Sequence, residues 1–198
     1  MGLGNAKSMK VESGFIWQGD KKLDFYEQEF EQNFLTYSRE EFEKKGNLWI
    51  STLNCPEYLQ EVDKALTKEE ENAAYWLQPE TTSKLFQRIE KELITLKAEA
   101  LVEKGTGCEY MFTHSRLEEL ALMYKIFKRD QQTLTLIIKK MIPYIEIRGE
   151  KIVKDEVNLS NPIDFTKKLL ELKAEMDKML DESFKNDMKF QKGRDTSF

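Results

Sequence analysis

Few side chains in this sequence could do chemistry, and those few do not form a set. The 198 residues contain one histidine, His114, and two cysteines, Cys55 and Cys108. Two cysteines do not make a disulfide framework, and with one histidine they fall short of the roughly four ligands of a structural zinc site. No nucleophile partner can be identified for His114, so we expect it to be a surface or capping residue rather than a catalytic base.

The run Gly105-Thr106-Gly107-Cys108 resembles a phosphate-binding loop only superficially. No predicted strand precedes it and no Lys-Ser/Thr pair follows it, so it lacks the context that phosphate binding needs. The acidic residues follow helix-surface patterns, and a pair of carboxylates brought together by the fold remains the one way to build a site. We therefore predict no catalytic, cofactor-binding or metal-binding residue and a protein that is not an enzyme.

Composition favours a helical body with a large solvated surface. Charged residues make up 34% of the chain and hydrophobic residues 40%, while nine glycines and four prolines are about half the usual share. So few turn residues argue against a sandwich or barrel of many short strands. The net charge of −5 is uneven, because residues 20–119 hold 22 acidic and 13 basic side chains.

The same composition argues against several partners. There is no strongly basic cluster for nucleic acid, no apolar run long enough to span a membrane and no signal peptide. We expect an intracellular protein, cytoplasmic or nuclear, that binds no small-molecule substrate.

Apolar spacing predicts six helical segments and no strand, which is an all-α architecture. The first three segments start near Leu23, at Asn54-Cys55-Pro56 and at Pro79, and Gly46 is expected near the end of the first. Their predicted buried faces are Leu23, Tyr26, Phe30, Phe34 and Tyr37, then Leu59, Val62, Leu66, Ala73 and Trp76, then Leu85, Ile89, Leu93, Leu96 and Ala100.

The remaining segments begin at a capping box of Ser115 and Glu118, near Leu134, and at Asn161-Pro162. Pro143 is expected to kink the fifth segment or end it early, Gly149 to lie near its end, and residues 150–160 to form a loop. A short last element around Phe190 follows Asn186-Asp187. The predicted faces are Leu117, Leu120, Tyr124 and Phe127, then Leu134, Ile137, Ile138, Met141, Ile142 and Ile145, then Phe165, Leu169, Leu172, Met176, Met179 and Phe184.

Five segments, in order, resemble the helical stalk of cullins, the scaffold subunits of cullin–RING ubiquitin ligases. Departures from the family pattern are Ser38 in place of an aromatic residue, Gln132-Thr133-Leu134 in place of Gly-Leu, and Pro143, which together indicate a divergent member. The matching segments are residues 26–35, residues 55–77, Glu90-Lys91-Glu92-Leu93-Ile94, residues 119–129 (Glu-Leu-x-x-Met-Tyr-Lys-Ile-Phe-Lys-Arg), and residues 161–198.

The resemblance implies five-helix cullin repeats stacked into an elongated rod. Residues 23–110 would be the later part of one repeat and residues 111–198 most of the next. Residues 1–22 would be a flexible lead-in or, in part, residues added for expression, in which Phe15, Ile16 and Trp17 could dock elsewhere.

The resemblance also implies a rigid spacer without catalytic residues. In the family the substrate adaptor binds N-terminal to this stretch, and the RING subunit and the modified lysine lie C-terminal to it, so no family functional residue maps here. An exchange factor that wraps the scaffold could contact its surface.

Two other readings of the residues remain open. The chain could be an unrelated helical-repeat interaction module, such as a vesicle tether. A membrane-binding helical dimer is disfavoured, because such surfaces are usually basic and this chain is acidic.

Overall fold

The chain is helical throughout the part that the structure describes. The structure, a computed structural model, describes residues 30–155 and 161–197. In those ranges there are nine α-helices and no strand, which confirms the all-α prediction. A π-helical turn, Lys91–Thr95, directly follows the third helix. The helices are α1 (Gln32–Thr52), α2 (Cys55–Trp76), α3 (Pro79–Glu90), α4 (Ala98–Glu103), α5 (Cys108–Thr113), α6 (Leu117–Phe127), α7 (Gln131–Lys154), α8 (Pro162–Phe184) and α9 (Met188–Asp195).

Helices α1–α3 and the π-helical turn form a first group, residues 32–95. At the predicted start of α2, the Asn54 side chain accepts a hydrogen bond from the Glu57 backbone N–H, and the Glu57 carboxylate accepts one from the Asn54 N–H. Pro56 and Pro79 lie in the first turns of α2 and α3, where an amide hydrogen would have no helical partner. These local signals confirm where both helices begin.

The buried face of α1 differs from the aromatic face that the spacing predicts. Phe30 and Tyr37 are 44% and 67% exposed, and Leu23 and Tyr26 lie outside the described residues. Two apolar stripes run along this helix, and periodicity cannot tell which of them meets the neighbouring helix. The residues that are buried on α1 are Leu35, Ser38, Phe42 and Gly46.

Gly46 lies within α1 rather than at its end, so that prediction was wrong. The helix continues to Thr52 and passes very close to the π-helical turn. A Cβ atom at Gly46 would lie 3.2 Å from the Glu92 carbonyl oxygen and 3.3 Å from a Leu93 methyl carbon. The glycine is therefore explained by close helix packing and not by helix termination.

The π-helical turn interrupts the third predicted segment. The Leu96 N–H donates to the Lys91 carbonyl, five residues back, and a new helix, α4, begins at Ala98. The wider turn changes which side chains face the core, so Ile94 is buried and Leu96 is 57% exposed. The prediction that Leu96 and Ala100 extend the buried face was therefore wrong, since Ala100 is exposed as well.

Helices α4–α9 form a second group around α6 and α7. α6 packs against α8, α4 and α5 pack against α7, and α9 packs against α7 and α8. Side chains fasten these helices to the ends of their neighbours. The Ser183 hydroxyl donates to the Leu117 carbonyl at 2.9 Å, and the Tyr144 hydroxyl donates to the Phe112 carbonyl at 3.0 Å.

The capping box predicted at Ser115 does not form. The residue that precedes α6 is Arg116, whose guanidinium donates to the Glu119 carboxylate. Ser115 lies one position earlier, with a left-handed φ of 50°. No side-chain hydrogen bond caps the first turn of α6.

Helix α7 is longer than predicted. It passes through Pro143 and Gly149 and ends at Lys154, so residues 150–154, at the start of the predicted loop, are helical instead. Residues 156–160 lie outside the described residues. Pro143 lies on the exposed side of the helix, where one lost hydrogen bond leaves the packing of the buried side intact.

The starts of α8 and α9 are as predicted. Asn161 accepts hydrogen bonds from the N–H groups of Ile163 and Asp164, and Asp187 accepts one from the N–H of Lys189. On α2, the prediction that Trp76 belongs to the buried face was wrong, because this side chain is 82% exposed. The residues of α8 that are buried as predicted are Leu172, Met176, Met179 and Phe184.

A single hydrophobic cluster joins the two groups. It extends from Leu35 on α1 to Phe190 on α9 without a break. The boundary between repeats near residue 110 stays a prediction. None of the helices in the described ranges combines the length and apolarity needed to cross a membrane.

Candidate functional site: the junction between the helix groups

His114 lies on the surface. It stacks on the Tyr110 ring with 4.1 Å between centroids, and its Nδ1 is 2.9 Å from the Tyr110 carbonyl oxygen. These contacts lie within one turn of α5 and fit the surface role expected for this histidine.

The two cysteines are packing residues in the interior. Cys108 Sγ lies 3.4 Å from Met123 Sδ, and both thiols are fully buried. Burial raises the pKa of the Cys55 thiol to about 12 and raises that of Cys108 as well. Neither thiol is therefore available as a thiolate nucleophile near neutral pH.

The glycine-containing run after α4 is part of the framework. The Thr106 hydroxyl accepts a hydrogen bond of 2.9 Å from the Cys55 backbone N–H at the start of α2. A Cβ atom at Gly107 would lie 2.5 Å from the carbonyl oxygens of Leu101 and Val102, which explains that glycine. The run thus fastens the second group to the first.

Carboxylates do come together, but an arginine lies between them. Arg129 at the end of α6 contacts Glu70 on α2 at 2.5 Å and Glu90 on α3 at 3.0 Å. Partial burial lowers the pKa of Arg129, but the hydrogen bonds that its guanidinium donates to both carboxylates outweigh this effect and raise that pKa above its usual range. An ion-paired arrangement of this kind holds helices together rather than transferring protons.

A surface groove also contains paired charges. It has a volume of about 760 Å³ and lies beside α5 and α7. Of its cationic residues, Arg148 pairs with Glu175 at 2.5 Å and Lys140 with Glu103 at 2.6 Å. Within the described ranges, no group of three or more His, Cys, Asp or Glu side chains could hold a metal ion.

The polar contacts instead concentrate where α6 meets the first group. We call this surface the junction and define it by Asp63, Glu70, Glu90, Lys125 and Arg129. Lys125 Nζ lies 2.6 Å from Asp63 Oδ1, on the same side of α6 as the Arg129 pairs. The junction thus joins the end of α6 to both α2 and α3.

Two further hydrogen bonds flank the junction. The Thr95 hydroxyl at the end of the π-helical turn donates to Asp130 Oδ2 at 2.8 Å. The Lys104 ammonium donates to the Ile50 carbonyl near the end of α1 at 2.5 Å. With these bonds the two groups are connected at several separated points, which opposes both bending and twisting between them.

An aromatic cluster holds α6 to the last two helices. Tyr124 makes edge contacts with Phe184 and Phe190, whose rings stack with 4.2 Å between centroids. The Tyr124 hydroxyl donates to Asp187 Oδ2 at 2.9 Å. Burial, together with this hydrogen bond, raises the pKa of Tyr124 to about 12. Because Asp187 also caps α9, one carboxylate connects α6 to the α8–α9 turn.

The sequence alone did not identify the junction. Lys125 lies in the last turn of α6 and Arg129 two residues beyond its end, and this spacing of four residues was the only local signal. Asp63, the partner of Lys125, is 62 residues away from it along the chain, so the pairing depends on the fold.

Comparison with known proteins gives the family. A model of the cullin family, described as the cullin alpha solenoid domain, matches residues 7–198. The chain belongs to the cullin family. The match begins earlier than residue 23, where the first predicted repeat starts. It also covers the whole junction, and both Lys125 and Arg129 lie in the segment that resembles the cullin stalk.

Individual cullins are distant relatives. Cullin-3A of Arabidopsis thaliana is 29% identical over 87% of this chain and 24% of its own length. Cullin-3 of Caenorhabditis elegans is 28% identical over 96% of this chain and 25% of its own length, and Cullin-3 of Dictyostelium discoideum is 27% identical over 87% of the chain. The chain thus spans about a quarter of the length of the curated relatives it matches.

Proposed function

We propose that this chain is a rigid spacer within a cullin subunit of a cullin–RING ubiquitin ligase. The observation that carries the proposal is the continuous core from α1 to α9, together with the ion pairs of the junction. A segment connected in this way can transmit a fixed separation from one end to the other.

The spacer acts on reaction rate through geometry. Holding a bound substrate and a charged conjugating enzyme at one separation raises their effective concentration without contributing a reacting group. This role needs stiffness and an accurate relative orientation of the two groups. It does not need a nucleophile, a base or a metal.

The partners in this proposal bind elsewhere on the parent protein. A substrate adaptor binds before this segment and a RING subunit after it, while an exchange factor contacts part of the solenoid surface. The proposed location is the cytoplasm, the nucleus or both.

The test is a reconstituted ligase built on the full-length parent protein. Lys125→Glu combined with Arg129→Glu should slow ubiquitin transfer to an adaptor-bound substrate several-fold. Substrate-independent discharge of the conjugating enzyme by the RING subunit should stay the same, because that chemistry does not depend on the separation. The matched control is Lys154→Glu, which removes an exposed pair with Glu150 inside one helix.

Mass spectrometry of proteins that co-purify with the full-length parent tests the assembly itself. Recovery of a RING subunit and an adaptor supports the proposal. Recovery of vesicle-tethering partners without a RING subunit contradicts it and favours the tether alternative.

A further inference from the structure

Three cationic side chains meet in a groove between α1 and the end of α3. Arg39 on α1, Arg88 on α3 and Lys91 at the start of the π-helical turn line this groove, which has a volume of about 460 Å³. Within the described ranges, none of these three side chains makes an ion pair. We call this surface the basic groove and define it by Thr36, Arg39, Arg88, Lys91 and Glu92, the residues that line it.

The cations on either side of the basic groove have a different role, because they fasten α3 and the π-helical turn to α1. Before the groove, Lys84 donates a hydrogen bond to the Glu31 carboxylate at 2.7 Å. Beyond it, Lys97 donates to the side-chain oxygen of Asn47. The three cations between these two bridges contribute no such connection. Their charges are therefore available to a ligand.

The charge of the basic groove is opposite to that of its surroundings. Three cations and one carboxylate give the groove a net charge of +2, whereas residues 20–119 together carry 22 acidic and 13 basic side chains. Cations held near one another repel, and an anionic ligand would offset that repulsion. The planar guanidinium groups of the two arginines match the geometry of a carboxylate.

The acidic surroundings also limit the size of the ligand. A long polyanion such as nucleic acid needs a basic surface that follows many phosphates, and beyond the groove it would meet mostly carboxylates. A short acidic stretch of polypeptide can keep its charges within the groove. The charge distribution therefore favours an acidic peptide over nucleic acid.

Glu92 distinguishes a peptide from a phosphate group. It is 7% exposed and lines the groove, and its carboxylate has no hydrogen-bond donor among the described residues. A buried acceptor without a donor is costly, and a peptide backbone N–H can supply one while acidic side chains of the same peptide bind Arg39 and Arg88. A phosphate dianion has no proton to donate and would be repelled by Glu92.

We propose that the basic groove binds a segment of a partner protein that is rich in aspartate and glutamate. The three cations bind the side-chain carboxylates of that segment, and Glu92 accepts a hydrogen bond from its backbone. The spacer thus has a docking surface on the first group, formed by other residues than those of the junction.

Fluorescence anisotropy of a short labelled poly-aspartate peptide, titrated with the full chain at near-physiological salt, tests the proposal. Arg39→Glu with Arg88→Glu should weaken binding by about tenfold or more. Lys44→Glu with Lys173→Glu is the matched control, because it makes the same change in net charge at two exposed lysines outside the groove and should leave binding nearly unchanged. No binding by the parent chain, or equal losses in both variants, would overturn the proposal.

Glu92→Met supplies a second measurement, since it removes the carboxylate with little change in side-chain length. Inorganic phosphate is titrated as a competitor of the peptide. The parent should prefer the peptide, and the ratio of the phosphate to the peptide dissociation constant should fall several-fold in the variant. The reason is that repulsion is removed for both ligands, whereas a hydrogen bond is lost only by the peptide. A preference of the parent for phosphate, or an unchanged ratio, contradicts a peptide as the occupant.

A labelled single-stranded oligonucleotide separates the peptide from nucleic acid. We expect the parent chain to bind it more weakly than the peptide. Tighter binding of the oligonucleotide that is lost in Arg39→Glu with Arg88→Glu would assign the basic groove to nucleic acid and overturn the proposal.

Discussion

At the scale of the residue, the polar groups that matter are those that fasten one helix to another. Tyr124 and Glu31 are both nearly inaccessible to solvent, yet each is fully engaged by partners from another element. Buried polar groups stabilise a fold only when they are paired in this way. Substitution at either position should therefore be measurable as a change in the free energy of unfolding.

Tyr124→Ala should lower the free energy of unfolding by about 3 kcal/mol, because it removes a buried ring from contact with Phe184 and Phe190. Tyr124→Phe keeps the ring and loses only the hydrogen bond to Asp187, so it should cost about 1 kcal/mol. Urea denaturation measures both. Equal losses for the two variants would show that the ring packing contributes little.

Glu31 should make stability depend on pH in the acid range. Hydrogen bonds from Lys84 and Thr81 hold the pKa of this carboxyl below its usual value, although burial opposes the shift. Its contribution is therefore present above the unfolded pKa of about 4.3 and is lost as pH falls through the lower folded pKa. Urea midpoints at pH 7 and pH 3 should show Glu31→Gln less stable than the parent at pH 7, with a smaller difference between them at pH 3. A difference that is the same at both pH values would contradict this assignment.

At the scale of the element, two helical glycines have opposite roles. Gly46 allows α1 to approach the Glu92 carbonyl closely, whereas no atom lies within 4 Å of a Cβ placed at Gly149 on α7. The same residue type is thus required in one helix and merely tolerated in another. Only the neighbouring element distinguishes the two cases.

Gly46→Val should lower the free energy of unfolding by about 2 kcal/mol, since the branched side chain would collide with backbone that cannot move independently. Gly149→Ala should raise it by about 0.5–1 kcal/mol through better helix propensity. Thermal unfolding followed by circular dichroism measures both. Similar behaviour of the two variants would contradict the packing role of Gly46.

At the scale of the whole molecule, the relative orientation of the two helix groups depends on the junction and the shared core. Each exposed ion pair contributes little alone, but Arg129 engages two helices at once and Lys125 adds a third contact. Their value lies in fixing an orientation that the proposed spacer needs. Loss of these ion pairs should therefore reduce the stiffness of the segment more than it reduces the overall helix content.

Lys125→Glu with Arg129→Glu should lower the free energy of unfolding by about 2 kcal/mol, because attraction becomes repulsion at both positions. The same double variant should also broaden the distribution of distances between spin labels attached at Glu43→Cys and Lys173→Cys, measured by pulsed electron paramagnetic resonance. The native thiols do not compete for label because Cys55 and Cys108 are buried. Asp63→Lys with Glu70→Lys, added to the charge reversals, should restore at least half of both effects. An unchanged distribution would show that the core alone fixes the orientation.

The sequence by itself determined the helical class, the positions of several helix starts and the family. Caps at Asn54, Asn161 and Asp187 are local interactions of a side chain with the next turn, so they can be predicted from neighbouring residues. Only the tertiary structure decided which stripe of α1 is buried, where the π-helical turn falls and which carboxylates meet Arg129. Those outcomes depend on residues far apart in the chain, whose contacts form only when the whole core packs.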